Sequence, residues 1–148
     1  MTANDQTLDV RQAERTALKL MLAHEHLDAG RAALFKAHGL SAPQYNVLRI
    51  LRGAGGGELS CHEVGERMIK RVPDVTRLLD RLEQRGLIER RRCPEDRRVV
   101  RTGITDGGLA LLAALDEPLR ERIRREFAAF DRASLARLDA LLEALLGT

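Results

Sequence analysis

The chain has 148 residues, of which 44% are hydrophobic, 32% charged and 3% aromatic, with no tryptophan. This length allows one domain with its own core and leaves no room for a second, catalytic domain, and the composition favours helices over an all-β fold. The net charge is only +3, but residues 70–101 hold eleven Lys or Arg against six Asp or Glu, a local surplus typical of nucleic-acid binding.

The compartment is predicted from the cysteines and from hydropathy. Cys61 and Cys93 are too few for a disulfide framework, which favours a reducing environment. The polar amino terminus lacks the apolar run of a secretory signal, and no apolar stretch approaches the roughly 18 residues that span a bilayer. The sequence therefore predicts a cytoplasmic protein.

A long helix is predicted from about Asp9 to His38, because apolar residues recur there at three- and four-residue spacings without a proline. Gly39 is placed to end it. A helix of about 28 residues is roughly 42 Å long, which exceeds what the core of a small domain requires. Its surplus apolar face predicts contact with a second copy of the chain.

Two capping boxes predict the next two helix starts, at Ser41–Gln44 and at Ser60–Glu63, on either side of the glycine-rich loop 53–57. A further helix is predicted with Pro73 at its first position and its end at Arg85. Residues 87–92 and 99–104 have the pattern of two short strands joined by a polar turn, which predicts a β-hairpin.

Two more helices are predicted after the hairpin. Thr105 is placed to cap the first, and Pro118 is expected to bend or interrupt it. The second is expected to begin at Asp131 or Ser134 and carries leucines along one face. The predicted fold class is mainly α with a small β-hairpin wing: a winged helix-turn-helix lobe plus amino- and carboxyl-terminal helices for dimerisation.

The outer face of helix 73–85 and the wing carry side chains of the types that recognise DNA. An arginine can donate two hydrogen bonds to guanine in the major groove, and a wing-tip arginine fits the negative potential of the minor groove. The density of guanidinium groups on the wing predicts a nearby anion, since such groups repel one another. The alternative interpretation is a solvated face with Asp80 and Arg81 in intrachain ion pairs. The candidate DNA-contacting residues are Asp74, Thr76, Arg77, Arg81, Arg90, Arg97 and Arg98.

Three stretches, 75–83, 85–90 and 96–105, resemble the MarR family of bacterial transcriptional regulators. The last is similar to the family's wing motif, an Asp-x-Arg followed by a short strand that ends in Leu-Thr, here Ile104-Thr105. The motif-level resemblance covers residues 40–112. The long first helix and the two terminal helices match the family's dimerisation elements in order and length.

This resemblance implies roles for particular residues. Thr76 and Arg77 would lie in the recognition helix, and Arg98 would enter the minor groove, oriented by Asp96. The resemblance also implies a homodimer on a pseudo-palindromic operator, with repression relieved by a ligand or oxidant. Within one MarR-like domain spanning 1–148, residues 40–112 would form the DNA-binding lobe and residues 9–38 and 118–148 the dimerisation region.

Family members often bind small aromatic acids and phenols between the helical arms and the DNA-reading lobe. The residues implied for such a pocket are His24, Arg31, Tyr45 and Arg49. Cys93 lies among arginines, so its oxidation is a further hypothesis, although a bystander role is favoured for both cysteines. The first helix lacks the cysteine that peroxide-sensing members carry there.

No enzyme, cofactor or metal site is predicted. The sequence has no phosphate-binding glycine loop, nucleophile elbow or credible pair of carboxylates, and His24 and His26 lie on different faces of one helix. Two alternatives to a ligand-responsive DNA-binding repressor stay open. One is a winged-helix module that binds protein, and the other is a thiol-based redox-sensing regulator.

Overall fold

The structure, a computed structural model, describes residues 8–147 and is mainly α with a small antiparallel sheet, which confirms the predicted fold class. The three strands are ordered β1-β3-β2. The element bounds are α1 Val10–Ala37, α2 Ala42–Gly53, β1 Leu59–Ser60, α3 Cys61–Arg67, α4 Val75–Gln84, β2 Ile88–Arg92, β3 Val100–Ile104, α5 Asp106–Glu126 and α6 Arg132–Leu146.

Side-chain caps fix where most helices begin, as predicted. Both capping boxes form: Ser41 and Gln44 exchange side-chain and backbone hydrogen bonds at the start of α2, and Ser60 and Glu63 do so at the start of α3. Of the two predicted starts for the last helix, the first is confirmed, since Asp131 caps α6. Such caps are worth about 1 kcal/mol each, and they can be read locally from the sequence.

The start of α4 differs from the prediction. The cap is Asp74, whose carboxylate accepts a hydrogen bond from the backbone N–H of Arg77 at 2.9 Å, and the helix begins at Val75. Pro73 therefore precedes the cap, and its predicted place at the first helical position was wrong. Both residues are common at helix starts, and the side-chain hydrogen bond decides between them.

The sheet contains one strand more than predicted. Leu59 and Ser60 pair with Thr102 and Arg101 of β3, which makes β3 the central strand of the sheet. A two-residue strand has no alternating pattern to detect, and this is why sequence reasoning missed it. The predicted hairpin is confirmed, with β2 and β3 antiparallel and Arg90 opposite Thr102.

The hydrophobic core lies between α2, α3, α4, the sheet and the first half of α5. Its members share near-complete burial; the largest are Leu48, Leu51, Leu79, Leu82, Ile88, Leu112 and Leu115. α5 continues through Pro118, so the proline does not interrupt it. Because α5 also crosses residue 112, one continuous helix joins the predicted lobe to the predicted dimerisation region, and that division of the chain stays a prediction.

Two helices leave apolar surface uncovered. Phe35, near the end of α1, is the one buried residue of that helix, whereas Leu18, Met21 and Leu22 are exposed. α6 buries none of its residues. None of the described helices has both the length and the apolar character needed to cross a bilayer.

Candidate nucleic-acid interface

The outer face of α4 is solvent-exposed, as expected for a recognition helix. Leu79 and Leu82 are buried against the core, while Thr76, Arg77 and Arg81 lie on the surface. Within residues 8–147, the guanidinium groups of Arg77 and Arg81 form no ion pair with a carboxylate. Both cations are therefore free to meet an external anion.

A groove of about 590 Å³ runs between the start of α3, the face of α4 and the hairpin. Thr76 of α4 and Arg98 of the wing both line it. Residues separated by more than twenty positions in sequence thus border one depression. This common surface is the geometric condition for a helix and a wing to contact the same duplex.

Hydrogen bonds hold the turn at the wing tip. The Asp96 carboxylate accepts from the backbone N–H of Arg98 at 3.0 Å, and the Val99 N–H donates to the Asp96 carbonyl at 2.9 Å. Asp96 therefore orients the backbone of Arg98 rather than its guanidinium. In the described chain no carboxylate pairs with the guanidinium of Arg97 or Arg98, and both side chains are exposed.

Arginines on the strands of the wing are engaged within the protein. The Arg90 Nη2 atom lies 2.5 Å from Asp80 Oδ1 and 2.6 Å from Glu83 Oε2, and hydrogen bonding to Glu83 is the main cause that raises the pKa of Arg90. Arg91 pairs with Glu89. The anion expected near these strand arginines is thus supplied by the chain itself. The alternative of intrachain ion pairs therefore holds for Asp80, which pairs with Arg90, whereas Arg81 pairs with no described carboxylate.

Arg101 of β3, like Arg90 and Arg91 of β2, pairs with a carboxylate of the protein. Its Nη1 atom donates to Glu63 Oε2 at 2.9 Å, and the same oxygen accepts from the Ser60 N–H at 2.7 Å. The hydrogen bonds from Ser60 are the largest causes that hold the pKa of Glu63 below its ordinary value. One carboxylate therefore both caps α3 and ties it to β3.

Neither cysteine lies in a disulfide. The Cys93 thiol donates to Glu95 Oε2 at 2.9 Å, and this hydrogen bond is the main cause that lowers the pKa of Glu95. Cys93 therefore has a carboxylate as its hydrogen-bond partner, while Arg91, Arg92 and Arg101 line the same depression. The Cys61 sulfur lies 3.7 Å from Thr76 Oγ1, half-buried beside the groove.

The four residues predicted for a ligand pocket lie on α1 and α2. His24 and Arg49 are exposed, while Arg31 and Tyr45 are half-buried, and Tyr45 stacks on Phe35 with ring centroids 4.2 Å apart. A cleft of about 570 Å³ between α1 and α5 is lined by none of the four. Among residues 8–147 no group of three His, Cys, Asp or Glu is arranged to hold a metal ion.

A helix-turn-helix, a hairpin wing and unpaired arginines on both define a winged-helix protein of the DNA-binding class. The model of the MarR family matches residues 40–100. The HTH-type transcriptional repressor IacR of Pseudomonas putida is 31% identical over 124 residues, which cover 84% of this chain and 73% of that protein. The chain belongs to the MarR family.

Two further similarities agree with this assignment. The crystal structure of a MarR transcription factor from Planctomyces limnophilus has a TM-score of 0.69 and 37% identity, with 88% of this chain and 95% of that chain covered. The homoprotocatechuate degradative operon repressor of Escherichia coli is 28% identical, with 85% of this chain and 84% of that protein covered. The family consists of DNA-binding transcriptional regulators, not enzymes, so the predicted regulatory class is confirmed.

Proposed function

We propose that two copies of this chain bind a pseudo-palindromic operator and repress transcription until an effector releases them. The observation that carries the proposal is the groove lined by both Thr76 and Arg98, because it gives α4 and the wing one common surface. Arg77 of α4 and Arg98 of the wing pair with no described carboxylate. Family membership supports the regulatory role.

The proposed contacts divide between the two grooves of the duplex. Thr76, Arg77 and Arg81 on α4 face the major groove, where arginine and threonine can read base edges. Arg97 and Arg98 serve the minor groove, with Asp96 fixing the backbone between them. Two further residues predicted as contacts have other partners: Asp74 caps α4, and Arg90 pairs with carboxylates of α4.

Homodimerisation is supported by the apolar surface of α1 and α6. A helix that buries none of its own residues is stable in a protein when another surface covers it. MarR regulators function as dimers. We propose that α1 and α6 of a second copy pack against this apolar surface. The second copy also supplies the second recognition helix that a pseudo-palindrome requires.

We propose a small aromatic acid or phenol as the effector. Support comes from the similarity to the homoprotocatechuate degradative operon repressor and from Arg31, whose buried Nε has no hydrogen-bond partner among the described residues. His24, Tyr45 and Arg49 would complete the pocket. Adding a panel of aromatic acids to the DNA complex tests this part, and a complex that no member releases would contradict it.

A salt titration of binding to a random-sequence duplex tests the proposed function. The wing arginines Arg97 and Arg98 alone give four cationic contacts per dimer. These predict at least a roughly hundredfold loss of affinity between 50 and 200 mM salt, because each contact releases a phosphate counterion. Arg98→Ala should make the dependence shallower. Arg120→Ala, which removes an exposed cation of α5, should leave it unchanged.

A flat salt dependence would contradict the proposal. It would favour the alternative winged-helix module that binds another protein.

A further inference from the structure

Arg90 is placed between the two parts of the proposed DNA-binding surface. It stands on β2, which leads into the wing tip, and its guanidinium reaches back to α4. There Nε donates to Glu83 Oε2 at 2.9 Å, while Nη2 reaches both Glu83 and Asp80. One side chain therefore bridges the recognition helix and the wing.

Arg90 is the most shielded member of the bridge. Its side chain is 21% exposed, whereas the side chains of Asp80 and Glu83 are 45% and 38% exposed. If Arg90 turned outward to a phosphate, it would leave the carboxylates of Asp80 and Glu83 unpaired beside a polyanion. Ion pairs with two carboxylates therefore oppose the role of direct DNA contact that the sequence predicts for Arg90.

The bridge also has a geometric consequence. The major and minor grooves of B-DNA are roughly 12 and 6 Å wide, so a helix and a wing that enter adjacent grooves need a defined offset. Thr76 and Arg77 depend on α4 for their position, and Arg98 depends on the hairpin. A rigid link between α4 and β2 sets this offset before DNA is bound, which lowers the ordering cost of binding.

We propose that Arg90 is a positioning residue that sets the distance between the recognition helix and the wing, through its paired carboxylates Asp80 and Glu83. It acts on sequence discrimination rather than on phosphate binding. The inference rests on the proposed function, since it requires that α4 and the wing bind one duplex.

The test compares two duplexes of equal length: the one most enriched by the wild-type protein from a randomised library, and a random sequence. Arg90→Met and Glu83→Gln should each lower the affinity for the enriched duplex by about tenfold relative to the random one. The double variant should lose little more than either single variant, because both break the same link. Circular dichroism and thermal unfolding establish that each variant is folded at the assay temperature.

Glu83→Gln decides the matter, because the two possible roles of Arg90 predict different ratios of the two affinities. If Arg90 contacted phosphate, removing a carboxylate would free Arg90 and strengthen binding to both duplexes equally, so the ratio would not change. Arg90→Met would then weaken both equally and reduce the salt slope by about one counterion. Either result would overturn the proposal. Arg92→Met is the matched control, since this arginine lies on the same strand and pairs with no described carboxylate, and it should leave discrimination unchanged.

If the proposed function itself is wrong, the experiment gives a result that differs from both of these outcomes. In that case no duplex is enriched over the random pool by the wild-type protein.

Discussion

Gly108, in the first turn of α5, lies directly against the backbone of the wing. A Cβ atom added to it would stand 2.3 Å from the Leu87 carbonyl oxygen and 2.7 Å from Ile104 Cγ1. A carbonyl oxygen of the main chain cannot move aside as the end of a flexible side chain can. The absence of a side chain at this position therefore allows α5 to approach the hairpin closely.

Gly108→Ala should destabilise the protein by about 1–3 kcal/mol, because the added methyl group forces α5 away from Leu87. Gly53→Ala is the control: it lies at the end of α2, and an added Cβ there meets no heavy atom within 4 Å. The control should change stability by less than about 1 kcal/mol, in the stabilising direction. Urea denaturation at one fixed protein concentration measures both, and equal effects would contradict the packing described for Gly108.

The sequence could not predict which carboxylate pairs with each arginine of the site. The wing arginines were identified as a cationic cluster, and the free state of Arg97 and Arg98 agrees with that interpretation. Arg90 and Arg101 also belong to the run of wing arginines in the sequence, yet their carboxylate partners come from α4 and α3. Pairing between elements depends on how those elements pack, which local sequence patterns do not contain.

At the scale of elements, helices α1 and α6 stand apart from the rest of the fold. Leu141 of α6 is 62% exposed and Met21 of α1 is 66% exposed. Isolated exposed leucines are ordinary, but an entire 15-residue helix without a buried residue lacks the tertiary packing that usually stabilises a helix. The second copy of the chain provides this packing in our account.

Leu141→Glu should weaken dimerisation by at least about 2 kcal/mol, roughly thirtyfold, because it places an unpaired carboxylate in an apolar interface. Ile69→Glu is the matched control: Ile69 is 77% exposed and lies in the turn between α3 and α4, outside both helices. Sedimentation velocity over a range of protein concentrations reports the dissociation constant. Dimers of equal stability in both variants would exclude α6 from the interface.

The elements themselves were largely predictable because their signals are local. Helix caps at Ser41, Ser60 and Thr105 fix three helix starts within a few residues of sequence. Strand β1, which sequence reasoning missed, depends instead on a distant part of the chain. Leu59 forms a strand because β3 lies beside it, and that neighbour is about forty residues further along the chain.

For the whole molecule, we expect the proposed DNA recognition to depend on two distances. The first is the offset between α4 and the wing within one protomer, which the ion pairs of Arg90 hold. The second is the separation of the two recognition helices, which must match one turn of the duplex, about 34–36 Å, for paired half-sites. The fold class and the regulatory family could be predicted from the chain alone. The resemblance also implied that Thr76 and Arg98 face one duplex, but the groove that both residues line arises from tertiary packing and could not be derived from local patterns.

We propose that α4 reads bases, while the wing binds the duplex regardless of its sequence. The test measures the affinity of Arg77→Ala and of Arg98→Ala for the enriched duplex and for every single-base-pair variant of that duplex. Arg77→Ala should cost about 1–3 kcal/mol and remove the preference at one base pair of each half-site, whereas Arg98→Ala should weaken binding to all duplexes alike. Uniform losses from both variants, with every base preference retained, would contradict the account.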